Sequence, residues 1–354
     1  MSCGAKEGTR LGQLIETAIP LCQAAEARCP RKGRGRKPQI ADWVIAVLIV
    51  TAILKQRKSK SAQYRFLSAH RAELMRTLGT RRFPSRSTYF DRYRRAWKLF
   101  EVAVQLAGER GIEEQWVSPR CLAVDKSVVS ARGPLWNRRH LERGKVPRGA
   151  DLEATWTRSS HHGWQLGYAY EVVVSAEKTG TVWPILASAS PASWHASRTF
   201  PAKIAQLPAA TRYVLADSGY DSNNLADAVE FDAQGRCTGR RLLANYPKHR
   251  AGVKTSTHRE TRKRRERRAR RRLRHEFHER PFARRLLRRR GARVEPFNAW
   301  LKNHFDLGER TWHYGLDNNC TQLLAAIFGY QLLLLVNHAS GYKNGQLQWI
   351  LDAL

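Results

Sequence analysis

Three carboxylates stand where chemistry could be done: Asp125, Asp217 and Glu295. Asp125 closes the apolar run CLAVD (121–125), and Asp217 closes RYVLAD (212–217). Such β-rich runs, bounded by turn signals, read as strands. Both acids then fall at a strand end, on the rim of a sheet, with their apolar predecessors buried. Glu295 lies in RVEPFNAWLKNHF (293–305), where Val294, Phe297 and Leu301 make one apolar helical face. Lys302 follows it by about two helical turns, so the carboxylate and the ammonium project on the same side. Hard oxygen donors of this kind suit Mg²⁺ or Mn²⁺. Two such ions about 3.5–4 Å apart can activate a water or a 3′-hydroxyl and stabilise the leaving oxygen of an in-line displacement at phosphorus. Each acid alone has an ordinary alternative. An Asp after a strand often caps a turn, and a Glu–Lys pair on a helix is commonly a surface pair worth little. The order Asp, Asp, Glu on strand, strand and helix favours a site, because it occurs in a strongly basic chain.

The 354 residues carry 63 Lys plus Arg against 30 Asp plus Glu, a net charge of +33. A field of that size points to a polyanionic partner. Nucleic acid leads, since each neutralised phosphate releases condensed counterions; a basic RNA-binding structural protein would show the same balance. Apolar residues make up 42% of the chain, which excludes wholesale disorder, and the length suggests two domains. The six cysteines lack CxxC spacing and read as reduced thiols. The apolar stretches 43–54 and 323–336 fall short of the ~20 residues a bilayer requires and read as buried helices. The opening MSCGAKEGTR has no signal-peptide core. The expectation is a cytoplasmic protein with no membrane partner.

The elements that must position the acids follow in order. Residues 11–29 have helical spacing. RKGRGRKP (31–38) reads either as a basic arm for the minor groove or as a solvated linker. Residues 38 to about 111 are helical throughout. Within them FPSRSTYFDRYRRAW (83–97) offers Ser85 or Ser87 as a cap. Arg86, Arg92, Arg94 and Arg95 are interleaved there with Tyr89, Phe90, Tyr93 and Trp97. The second helix of a helix-turn-helix has this character; an amphipathic helix with a solvated arginine face is the alternative. From Arg120 the period changes, with strands expected at 121–125, 167–176, 181–190, 212–217 and 240–247 and helices at 195–206 and 222–229. Between Arg259 and Arg290 stand 17 Lys or Arg and 4 acids.

The segments CLAVDKS, LADSGYDS and RRRGARVEPFNAWLKNHFDL resemble the three catalytic blocks of bacterial insertion-sequence DDE transposases. ILASASPASWHASRTF resembles the family's strand and following turn between the first two acids. The resemblance runs from about Arg120 to His338. It implies an α/β fold, a ribonuclease-H-like mixed five-stranded sheet with flanking helices, preceded by an all-helical DNA-binding region. The expected division is an N-terminal helix and arm (1–37), a helix-turn-helix-like domain (38–117) and a catalytic domain (118–354) with an arginine-rich insertion at about 248–290. The resemblance makes Asp125, Asp217 and Glu295 the ligands of two Mg²⁺ or Mn²⁺ ions and sets Lys302 on a phosphate near the cleaved end. The family's arginine four positions before the glutamate is replaced here by Gly291, and its tyrosine by Arg288. Arg290 is taken as the substitute, with Arg293 nearby. The insertion, dominated by Ala, Leu, Arg and Glu, is expected to be helical; Arg267, Arg268, Arg271 and Arg272 are expected to clamp the DNA backbone, a solvated loop that aids only long-range attraction being the alternative. The implied partner is double-stranded DNA, both element ends and target, bound by a homodimer or larger complex at the bacterial nucleoid. The implied reaction is cleavage at the element's ends and strand transfer. A catalytically silent, domesticated DNA-binding derivative is the alternative. His161, His162 and His195 are not needed by two-metal chemistry and are read as structural or DNA-contacting.

Overall fold

A computed structural model describes residues 10–29, 38–159, 163–178, 180–245, 261–342 and 345–354. The basic arm at 31–37, His161 and His162, and 246–260 lie outside the described residues. Among the described residues six helices come first: α1 (Arg10–Arg28), α2 (Asp42–Leu54), α3 (Lys60–Ala69), α4 (Arg71–Thr77), α5 (Arg86–Tyr93) and α6 (Trp97–Glu113). Then follow β1 (Cys121–Ser130), α7 (Arg138–Glu142), β2 (Thr155–Ser159), β3 (Gly163–Ser175), β4 (Pro184–Pro191), α8 (Ala196–Thr199) and α9 (Pro201–Ile204). β5 (Tyr213–Ala216), a 3₁₀ turn (Ser218–Tyr220), α10 (Asn223–Glu230) and β6 (Arg241–Ala244) complete the sheet region. The chain ends in α11 (Arg262–His278), α12 (Pro281–His304), α13 (Leu316–Ala339) and α14 (Gln348–Leu351).

The sheet runs β2-β3-β1-β5-β6, with β4 also paired to β3. β1 is antiparallel to β3 and parallel to β5, which is parallel to β6. Without β2, the order β4-β3-β1-β5-β6 is that of a ribonuclease-H-like sheet. β2 is the strand that sequence patterning missed. TWTRS is short, pairs only with the start of β3, and has no fully buried position to mark it.

The apolar stretches became interior helices. α2 is buried from Val44 to Leu54, and α13 is long and apolar enough to cross a membrane yet is buried within the fold from Asn319 to Asn337. The two breaks in its apolar run have uses. Gly329 faces Leu54 and Phe305, where a Cβ would already be in contact at 3.4 and 3.5 Å. Gln331, fully buried, donates to the carbonyls of Val104 in α6 (2.8 Å) and Pro184 in β4 (2.9 Å).

That bridge bears on domain organisation. Buried side chains of α1, α2 and α6 belong to the same continuous core as those of the sheet and α13. The expected boundary at 117/118 is therefore no break in packing. α6 meets β4 through two glycines: a Cβ on Gly108 would lie 2.7 Å from the carbonyl oxygen of Ile185, and one on Gly111 2.7 Å from the Trp183 ring. Because the Ile185 atoms are backbone, Gly108→Ala should force α6 off the sheet. Overpacking costs about 1–3 kcal/mol, and urea unfolding should show at least that loss; a neutral result would mean that α6 does not press on the β4 backbone at Gly108.

Candidate active site

The register between β1 and β5 positions the first two acids. Cys121, Leu122 and Ala123 pair with Tyr213, Val214 and Leu215. Extending that register by two residues sets Asp125 level with Asp217. Side chains two apart share a face, and neighbouring strands lie about 4.8 Å apart. Asp217 follows the last residue of β5, as expected. Asp125 does not end its strand: β1 continues on β3 to Ser130 after losing its β5 partner. What opens the sheet beside Asp125 is the end of the neighbouring strand, which patterning within CLAVD could not reveal.

Each carboxylate is already engaged. Asp125 accepts from Arg290 Nη2 (2.6 Å) and Asn298 Nδ2 (2.8 Å), and Tyr170 donates its hydroxyl to Asn298 Oδ1 (2.9 Å). Burial pushes the Asp125 carboxyl above the usual range; the Arg290 guanidinium opposes this, and the negative charge of Asp217 reinforces it. Asp217 accepts from the Gly219 amide at 2.8 Å and so caps the 3₁₀ turn. Two carboxylates in one another's field, one of them largely withdrawn from water, form a place that favours added positive charge.

The third wall is α12, which lies across β1 and β5. Val294, Phe297 and Leu301 bury its apolar face as expected. At about 100° per residue, Gly291, Glu295, Asn298 and Lys302 share one flank of the helix. Lys302 is half-buried, which pulls its ammonium below the usual lysine range, while Asp125 acts in the opposite direction. The lysine thus lies within the field of Asp125. Glu295 is exposed and folds back over Gly291, where a Cβ would sit 3.2 Å from its Oε1. The glycine in the expected arginine position leaves room for the glutamate, and Arg290 supplies the guanidinium to Asp125. Arg293 instead donates to the backbone carbonyls of Lys178 and Gly180, at the β3–β4 connection. Among the described residues no three His, Cys, Asp or Glu side chains are grouped closely enough to hold a metal ion. The two aspartates come together; Glu295 shares their rim without joining them.

Sequence reasoning missed Asn298 and Tyr170. Asn298 was findable, being three residues after Glu295 on the same flank; Tyr170 was not, since its partner lies 128 positions away. Also missed was the buried network around Glu171, which accepts from Lys203 Nζ (2.6 Å), Thr199 (2.7 Å) and Tyr220 (2.9 Å). It braces the turn after Asp217 from inside the fold. His195 is exposed and caps α8 through Ser197.

The candidate DNA-facing residues divide similarly. The helix carrying Arg86 and Arg92 ends at Tyr93 rather than near Trp97. Its aromatic residues serve the core, Tyr89 donating to Gln63 (2.9 Å) and Tyr93 sharing a hydrogen bond with His313 (3.0 Å). Ser85 caps it by accepting from the Thr88 amide. Arg92 is turned inward to the Ile40 carbonyl and Asp42. Arg86 is exposed and reaches Ser61, while Arg94 and Arg95 are exposed beside Asp91. In α11, Arg267, Arg268 and Arg272 are exposed, with Arg272 paired to Glu276 (3.0 Å); Arg271 turns inward to Asp221.

The model of one protein family, described as the transposase DDE domain, matches residues 116–332, more than half of the chain. The match contains all three acids, α11 and most of α13. No curated protein and no solved structure matches the chain.

Proposed function

The chain belongs to the transposase DDE domain family, and from that premise we propose that it cuts DNA at the ends of an insertion element and joins the freed 3′-hydroxyls to target DNA. The observation that carries this reading is the pairing of Asp125 and Asp217 on neighbouring strands, faced by Arg290, Asn298 and Lys302 from α12. Members of such a family use divalent metal ions, and the donors fit them: oxygen-only ligands of the type Mg²⁺ or Mn²⁺ prefers, in mutual repulsion that a cation would relieve. Asp125 and Asp217 would hold two ions, with Glu295 completing the set by a side-chain rotation away from Gly291. Bound there, the ions supply Lewis-acid stabilisation of charge on the phosphoryl oxygens.

The chain's own groups do the remaining work. Asn298, held by Tyr170, fixes the Asp125 carboxylate in one orientation. Arg290 neutralises the Asp125 carboxylate; with a cation held there, the guanidinium would be available to a phosphate oxygen, which it binds through paired donors as it does a carboxylate. Lys302 binds the phosphate beside the scissile bond, an interaction strengthened by its partial burial. Arg86, Arg94 and Arg95 are proposed to meet the element's end, and α11 to hold the backbone without reading sequence. The enzyme acts as a dimer or larger assembly on bacterial DNA, in the cytoplasm.

A second reading, a DNA-binding derivative that no longer cuts, draws on the outward position of Glu295 and the Arg290–Asp125 ion pair. The two separate on one experiment. DNA carrying the element's ends should be nicked at those ends in Mg²⁺ or Mn²⁺ and left intact in EDTA. Binding without nicking in either metal would favour the second reading.

The proposed clamp has its own test. Log affinity falls by roughly 0.9 per phosphate contact for each tenfold rise in salt. Replacing Arg267, Arg268 and Arg272 with Ala should flatten that slope by up to about three contacts' worth, on end DNA and random DNA alike. Arg271 is left out, because it is spent on Asp221. An unchanged slope would retire the clamp, and a loss confined to end DNA would make α11 a sequence reader.

A further inference from the structure

The loop of Asp217 and the basic helix α11 meet at a single buried carboxylate. The Asp221 side chain is 2% exposed, and three basic groups of α11 converge on it. Arg271 forms an ion pair with Oδ2, while Arg274 Nη2 and His275 Nε2 lie 3.6 Å from Oδ1. Two further contacts run alongside: Asn223 donates to the carbonyl of Arg267 (3.0 Å), and Arg270 pairs with Asp227 (3.3 Å). Asp221 also terminates the 3₁₀ turn that Asp217 caps, so one short turn joins the two acids. Tyr220, between them, is tied to Glu171 from inside.

A carboxylate this deep is costly unless paired, and removing one partner of a buried ion pair leaves the other uncompensated. Here the compensation comes almost wholly from one helix, on which Arg267, Arg268 and Arg272 are exposed. We propose that Asp221 is a positioning residue, which seats α11 on the catalytic loop and so indexes the DNA backbone held by α11 to the phosphodiester at Asp125 and Asp217. This rests on the clamp reading of α11. It assigns the last acid of DSGYD a duty distinct from that of the first: Asp217 faces the reaction, and Asp221 faces the helix that carries the substrate's backbone.

The expected signature separates placement from affinity. Asp221→Asn keeps the size of the side chain and removes its charge. Misplacement of about 1 Å can cost roughly 100-fold in rate. The single-turnover cleavage rate at saturating end DNA should therefore fall roughly 10- to 100-fold. The dissociation constant and the salt slope should stay near wild type, because the outward arginines are untouched. Cleavage should also scatter over neighbouring phosphodiesters. Should D221N fail to fold, Arg271→Gln with Arg274→Gln removes the same contact from the helix side and should reproduce the rate loss. Adding D221N to that pair, where the variants fold, should cost little more, since both act through one contact. A near-wild-type rate and cleavage position in either variant would overturn the proposal. So would a multiplied loss in the combination, which would show Asp221 acting on the loop independently of α11. The salt slope of the Arg267, Arg268 and Arg272 replacement is measured alongside; if it is unchanged, the clamp itself is what has failed, whatever D221N shows.

Discussion

Asp125→Ala, Asp217→Ala and Glu295→Ala should each lower nicking at the element's ends by at least about a thousandfold. The magnitude follows from the chemistry proposed. Lewis-acid stabilisation of a phosphoryl transition state is worth several kcal/mol, and each 1.36 kcal/mol is a factor of ten in rate. DNA affinity should hold or rise slightly, since each substitution removes a negative charge from a strongly basic protein. The three variants differ in a second respect. Asp125 is the acceptor for Arg290 and Asn298, so its loss strands two donors and should also lower thermal stability. Glu295 is exposed, and Glu295→Ala should melt with the wild type while losing activity. Near-wild-type nicking by that variant would take Glu295 out of the site and leave the aspartate pair to be completed by another group.

A chain beginning at residue 113 should not fold. A region that merely preceded the catalytic domain could be removed at the cost of end recognition alone, leaving salt-sensitive DNA binding. The packing argues otherwise. Deletion would uncover the face of α13 that α2 and α6 cover, including Phe328, which meets Phe100 with ring centroids 6.0 Å apart. It would also remove the Val104 acceptor of Gln331 and the Tyr93 carbonyl that accepts from Thr321 (2.7 Å). Each large apolar side chain returned to water costs about 1.5–3 kcal/mol, and a whole domain is stable by only about 5–15 kcal/mol. Circular dichroism and a melting curve of the truncated chain should show no cooperative transition. A cooperative melt with retained DNA binding would show that the helical region is a separable unit. End recognition is therefore better probed by Arg86, Arg94 and Arg95, whose side chains leave the core undisturbed.

Much of this was legible in the sequence. The 3.6-residue and two-residue periods, together with the places where one replaced the other, gave the helical N-terminal region and most strands. The resemblance of three short blocks implied the fold, and the topology and the family match agree with it. The helical spacing of Val294, Phe297 and Leu301 gave the buried face of α12. What escaped was pairwise and distant. Nothing in FPSRSTYFDRYRRAW reveals that Tyr89 and Tyr93 are buried against Gln63 and His313, or that Arg92 turns back to Asp42, because those partners are set by packing. Nor does the composition of α11 separate Arg271, committed to Asp221, from its outward neighbours. Helical periodicity could have suggested a difference only if the docking face had been known. The unity of the core was hidden for the same reason. Gln331 and Gly108 look like blemishes in their helices until the surfaces they join are seen.

Strand transfer distinguishes a protein that rejoins DNA from one that only cuts or binds it. A labelled duplex ending in the element's terminal sequence with a free 3′-hydroxyl would be incubated with the protein, supercoiled plasmid and Mg²⁺. Covalent joining of the labelled strand to the plasmid is expected, lost when the 3′-hydroxyl is replaced by hydrogen and lost in Asp125→Ala. A wild-type protein that binds the duplex yet yields no joined product in Mg²⁺ or Mn²⁺ would contradict the proposed function.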